Sequence, residues 1–210
     1  MKNTVTTIDT KEQILNVAER LFAEKGFAGT SLRNVIREAG VNIAAVHYHF
    51  GSKEELFIAV VRRVAQQIVA SQVEELAKYE NLEEPPSLES ILEAFYGPPL
   101  RVITQMGEAG VVRAQFMGRC RAEPFPIQQL SDKEFHESQR RFLDILQRAL
   151  PNQTRTELTW KLDLAVAIIV RTANQIGQSD KVITGNSSEE IETAIARLVK
   201  FVAQGMRNND

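Results

Sequence analysis

His47, Tyr48, His49 and Lys53 crowd into one short stretch of the chain, and each can donate a hydrogen bond to a phosphate or a base edge. The stretch is residues 30–56, TSLRNVIREAGVNIAAVHYHFGSKEEL. Stepping about 100° per residue along Ile43–Phe50 puts Val46, Phe50 and Ile43 on an inner side. Ala44 and Tyr48 fall opposite, flanked by Ala45 and His47, so the outward face carries two methyl-sized side chains beside two rings. Small residues let a helix sit deep in a major groove, where an alanine methyl can touch a thymine methyl. Ser52-Lys53-Glu54-Glu55 is a capping box that places Lys53 in the first turn of a further helix. Free N–H groups, the positive helix end and a lysine then meet at one point, which suits a phosphate.

The elements that must hold these side chains are equally plain. Leu32, Val35, Ile36 and Ala39 follow the i, i+3, i+4, i+7 spacing of one buried helical face. Gly40 supplies the left-handed residue that closes such a helix, and Asn42 is a good N-cap for the next. The unit reads as a helix-turn-helix. The alternative is an ordinary bundle with rings on its surface. Charge speaks for that alternative, because Lys2, Lys11, Arg20, Lys25, Arg33, Arg37 and Lys53 are balanced by Asp9, Glu12, Glu19, Glu24, Glu38, Glu54 and Glu55. A neutral domain should bind DNA non-specifically only modestly, and in a salt-sensitive way.

Ile14 to Phe22 ahead of Gly26-Phe27, then Thr30, Ala39-Gly40-Val41, Tyr48-His49-Phe50 and Ser52-Lys53-Glu54 with Leu56 resemble the DNA-binding domain of the TetR (tetracycline-repressor) family of bacterial transcriptional regulators. His47 stands where a tyrosine is frequent. The resemblance implies that Ile43–Phe50 lies in the major groove, with Tyr48, His49 and Lys53 on phosphates. It is close over roughly the first quarter of the chain and elsewhere covers only length and helical layout. The full set expected at DNA is Thr30, Ser31, Arg33, Asn42, Ile43, Ala44, Ala45, His47, Tyr48, His49 and Lys53.

The remainder reads as helices, with no sustained strand period and no Gly-rich phosphate loop. Capping boxes are expected at Thr10 with Gln13, Ser131 with Glu134, Thr154 with Glu157 and Ser187 with Glu190. The fold expected is all-α: an N-terminal three-helix DNA-binding domain (1–55), joined by a long helix to a helical effector-binding and dimerisation domain (56–210). The helix beginning at Ser52 should run past Leu76 to the loop at Pro85-Pro86, roughly 40 Å of stiff rod. Pro98-Pro99 interrupts a helical pattern and predicts a bend or loop, and Glu123-Pro124-Phe125-Pro126 a turn.

An effector pocket is expected in residues 87–130, from Phe95, Tyr96, Met106, Phe116, Met117 and Cys120, with Arg101, Arg113, Arg119 and Arg121 as candidate anion partners. Two final helices, at about 154–179 and 188–206, are candidates for the dimer interface. The first has one stripe of Leu158, Leu162, Ala165 and Ile169 and another of Trp160, Leu164 and Ile168, enough for a core and a partner. The second offers Ile195, Leu198 and Val202, with Phe201 beside them. Pairing both from each chain would give a four-helix interface.

Composition fits a packed, water-compatible chain of 210 residues, 43% hydrophobic and 25% charged. No run approaches the roughly 18 apolar residues of a membrane span, and residues 1–10 are polar and Thr-rich with no signal-peptide pattern. A cytoplasmic protein is expected. Cys120 is the only cysteine, which rules out an intrachain disulfide. The histidines do not converge on a metal site, no cofactor is implied, and nothing pairs a nucleophile with a base, so no enzymatic activity is expected. The expected function is a ligand-responsive repressor that binds a two-fold operator as a homodimer and is released by a small molecule. The other reading is a helical small-molecule sensor that acts through protein partners.

Overall fold

The computed structural model describes residues 10–173, 175 and 187–207. Among them the order is α1 (Thr10–Gly29), α2 (Leu32–Ala39), α3 (Ile43–Phe50), α4 (Lys53–Glu80), α5 (Leu88–Gln105), α6 (Glu108–Ala122), α7 (Ile127–Ala149), α8 (Arg155–Ala173) and α9 (Ser188–Arg207), with no strand. The expected all-α fold is what is found. The part of the penultimate helix expected at 176–179 lies outside the described residues.

Local signals set most boundaries. The Ser31 hydroxyl accepts from Asn34 N–H, Ser52 from Glu55 N–H, Thr154 from Glu157 N–H and Ser187 from Glu190 N–H. Gly40 takes φ 62 and returns its N–H to Ile36 C=O, closing α2. The capping box expected at Ser131 does not exist. α7 has already begun at Ile127, directly after Pro126, and the Ser131 hydroxyl donates to Gln128 C=O at 2.7 Å inside the helix. Ser-x-x-Glu is a start signal only where the preceding backbone is extended.

Pro98-Pro99 is a second correction, because α5 runs straight through both. Pro99 lacks the N–H that would bond Phe95 C=O. That carbonyl instead accepts from the buried Gln72 side-chain amide of α4 at 2.7 Å. The lost helical bond is replaced from a neighbouring helix, so the prolines are absorbed rather than expelled into a loop.

Two apolar clusters organise the packing. The first joins Ile14, Leu21, Phe22, Val35, Val46 and Phe50 to Leu56, Phe57, Val60, Val64 and Ile68 of α4, and takes in Phe116 and Cys120 of α6. The second joins α5, α7, α8 and α9 around Leu92, Tyr96, Phe142, Leu146, Leu162 and Ile195. The boundary expected at 55/56 falls in the first turn of α4, and the first cluster continues well beyond it. α4 alone among the described helices is long and apolar enough to cross a membrane, yet Leu56, Val60, Val64, Ile68 and Leu76 are buried in these cores.

Candidate DNA interface and effector cavity

The outward face of α3 is open. Ala44, His47, Tyr48 and His49 are exposed, and Tyr48 most of all, at 85%. Val46 and Phe50 are buried beneath them. Ile43 departs from the 100° projection: as the first residue of the helix it lies beyond the core's reach and is 55% exposed, so it belongs to the outward surface. Asn42 caps α3 through its side-chain oxygen, which accepts from Ala44 N–H at 2.9 Å. His47 Nδ1 lies 3.2 Å from Gly51 C=O, which orients the exposed ring. The Tyr48 and His49 rings meet edge to face at 5.1 Å.

Lys53 is held in place. Its Nζ donates to Phe27 C=O at 3.0 Å and lies 4.2 Å from the Phe27 ring centroid. A lysine so anchored loses less side-chain entropy on meeting an anion, and its remaining N–H groups are uncommitted. Thr30 is a correction: it is 2% exposed and its hydroxyl lies against Leu21 C=O and Gly26 C=O, at 3.1 and 2.8 Å, so its side chain ties the α1–α2 corner together. Ser31 and Arg33 are exposed next to it.

The neutral balance of this region resolves once partners are assigned. Glu12 and Glu19 bond Arg63, and Glu24 and Glu38 bond Arg20. Arg33 and Lys53 have no carboxylate partner among the described residues, while Glu54 and Glu55 remain exposed at the same helix end. Acids are therefore largely consumed away from α3.

α6 connects this end to the rest. Its Arg113 donates to buried Glu19 of α1 at 3.2 Å and to Gln67 of α4 at 2.7 Å, and Phe116 packs its ring 5.8 Å from Phe57. At the end of α6, the Glu123 carboxylate accepts from Phe27 N–H at 2.8 Å. Gly26, at φ 70, makes room for this: a Cβ there would lie 2.7 Å from Glu123 Oε1.

The same face of α6, continued through Met117, Cys120 and Arg121, lines a cavity between α4, α5, α7 and α8. Val61, Val64, Ile68, Phe95, Phe116, Met117, Phe135, Ile169 and Val170 make it apolar, and Gln72, Cys120, Arg121, Ser131, Asp132, Ser138 and Gln139 add polar atoms. Of the expected residues, Phe95, Phe116, Met117 and Cys120 are here. Tyr96 is not: it is fully buried in the second cluster, its hydroxyl donating to Ala165 C=O at 3.0 Å. Met106 caps α5 and its sulfur accepts from Arg113 at 3.2 Å. Burial pushes the Cys120 thiol far up, which disfavours the thiolate. Arg101 is taken by Glu93 and Glu192, Arg113 by Glu19 and Arg121 by Asp163, while Arg119 lines an open groove elsewhere. Sequence reasoning missed Gln72, Asp132, Phe135 and Gln139, which lie outside residues 87–130 and carry no local signature.

On α8, Trp160 is 60% and Leu164 46% exposed, while Leu158, Leu162, Ala165 and Ile169 are buried, so that helix has the two faces expected. On α9, Ile195 and Val202 are buried in the second cluster and face no partner; Phe201, at 68%, is the exposed ring, and Ile168 and Leu198 are half-buried.

Comparison with known proteins adds to this geometry. The family model described as "Bacterial regulatory proteins, tetR family" matches residues 14–60, and "Tetracyclin repressor-like, C-terminal domain" matches 93–205. The HTH-type transcriptional regulator LmrA of Bacillus subtilis is 41% identical over 61 residues, 29% of this chain and 32% of that protein. The HTH-type transcriptional regulator AcrR of Shigella flexneri is 35% identical over 71 residues, 34% of this chain and 33% of that protein. The matched stretch thus spans about a third of the length of these curated relatives. Among solved structures, a putative tetR family regulator from Shewanella sp. PV-4 superposes with TM-score 0.66 at 19% identity, covering 92% of this chain and 98% of that one. FadR from Bacillus subtilis, in complex with stearoyl-CoA, gives 0.63 at 14%, covering 92% and 98%. At these identities the structural likeness shows the fold.

Proposed function

The chain belongs to the TetR family of bacterial transcriptional regulators, and we propose that it acts as a homodimeric repressor that binds a two-fold operator and is released by a small molecule. The observation that carries this reading is the face of α3, where small residues and unshielded rings stand clear of the core beside two cations that no carboxylate among the described residues occupies. In the proposed complex α3 enters the major groove. Tyr48, His49, Ser31, Arg33 and Lys53 position it on phosphates, and Ile43, Ala44, Ala45 and His47 face the base edges.

Two copies would pair through α8 and α9, with Trp160, Leu164 and Phe201 supplying exposed apolar area and Ile168 and Leu198 its margin. Half-sites about 34 Å apart then make operator affinity sensitive to small changes in the spacing of the two α3 helices. The domain division proposed is a reading unit ending near residue 55 and an effector and dimer unit after it, with α4 and α6 shared. A cytoplasmic location belongs to this proposal.

Release follows from α6, which lines the cavity and is bonded through Glu123 and Arg113 to α1. An occupant favours a conformation in which α6 and the α1–α2 corner have shifted, and the population of DNA-fitting dimers falls. Selection of genomic fragments by the purified protein at physiological salt tests the reading. Enrichment of a two-fold sequence is expected; a protein that enriches nothing is not an operator-binding repressor.

A further inference from the structure

Most polar groups that line the cavity are engaged within the protein. The Gln72 amide donates to Phe95 C=O, the Ser131 hydroxyl to Gln128 C=O and the Ser138 hydroxyl to Phe135 C=O. Arg121 is held by Asp163 of α8. The Asp132 carboxylate, half-buried on α7, makes no hydrogen bond or ion pair with any described residue. Arg121 draws on it through space while Asp163 opposes it, and burial, the largest influence, pushes its carboxyl up. The rings of Phe95, Phe116 and Phe135, whose faces are electron-rich, line the same cavity.

We propose that the effector is a lipophilic organic cation, a protonated or quaternary amine on an apolar body, with Asp132 as its counter-charge. This rests on the reading of the cavity as the effector site. An ionised carboxylate without a partner in an apolar cavity raises the free energy of the empty protein. A cation removes that penalty, a neutral ligand leaves it in place, and an anion adds to it. An anion would also have to draw Arg121 away from Asp163. The free space is about 60 Å³, well under the roughly 300–1,000 Å³ of most ligand sites, so the occupant must widen the cavity. Met117 and Gln139, both unbranched, are the side chains best able to give way.

Calorimetric titration of the purified full chain, without DNA, tests the proposal with three small probes. These are phenyltrimethylammonium, its uncharged isostere tert-butylbenzene, and benzoate. The cation should bind at least about tenfold more tightly than the isostere, a difference of about 1.4 kcal/mol, and benzoate more weakly still. Asp132→Asn, which keeps shape, should abolish the preference while leaving the isostere's affinity unchanged. Asp163→Asn, outside the cavity, should weaken the cation by freeing Arg121 toward Asp132. Equal or tighter binding of the isostere or benzoate, a preference that survives Asp132→Asn, or no binding of any probe overturns the proposal. Operator selection on the same preparation separates the two ideas. An operator-binding protein that prefers neutral or anionic probes loses only the ligand class, whereas cation binding without any operator loses only the repressor.

Discussion

The reading end and the cavity are built on opposite plans. At α3 the chemistry-bearing side chains stand in solvent on a helix whose buried side is only Val46 and Phe50. In the cavity, polar groups from α4, α6 and α7 are turned inward among apolar side chains of α5 and α8, and most of them also hold the fold together. A surface reader can therefore change its recognition residues with little loss of stability, whereas the cavity cannot change Gln72 without disturbing α5.

The strongest test of this contrast lies where the two regions are joined. Glu19 is 5% exposed and accepts from both Arg63 and Arg113. Glu19→Ala should leave the buried Arg113 without a carboxylate and half-buried Arg63 with Glu12 alone, and lower stability by about 3–5 kcal/mol, read in urea unfolding. Gln72→Leu should cost about 1–3 kcal/mol by orphaning Phe95 C=O in the core, and a value near zero would mean that the prolines of α5 are tolerated for another reason.

On the reading end the pattern should invert. Tyr48→Ala is expected to keep unfolding within about 0.5 kcal/mol of wild type, as exposed sites do, while operator affinity falls across all sequences. Lys53→Ala should reduce the salt slope of binding by about one. The smallest effect is at Asp132. Its carboxyl is raised by burial, so in the empty protein its contribution is favourable at low pH and is lost as pH rises through the raised value. Asp132→Asn should accordingly raise the melting temperature at neutral pH, and the gain should vanish below the ordinary aspartate value of about 3.9. A gain that persists in acid would place its origin in packing instead of charge.

The same contrast explains what the sequence disclosed. Caps at Ser52, Thr154 and Ser187, the glycine that closes α2 and the burial of Val46 and Phe50 on α3 were legible in order along the chain, whereas Ile43, at the helix start, was wrongly placed on the inner face. Thr30 looked like a reading residue and proved a corner tie, because its acceptors lie up to nine positions back on α1. Pro98-Pro99 looked like a break because the compensating donor, Gln72, sits on a different helix. Ile195 and Val202 form a helical stripe that fits a dimer face or a core equally well, and only packing against α5 decides for the core. Asp132, on a polar-rich helix, has the sequence context of an ordinary solvated acid.

The central claim is that α3 reads a two-fold DNA site, and footprinting of wild type beside Tyr48→Ala on DNA upstream of the protein's own gene tests it most directly. Two protected half-sites one helical turn apart are expected, lost in the variant while its unfolding curve is unchanged. Protection identical in wild type and Tyr48→Ala would contradict it, and would move the DNA contact to another surface of the molecule.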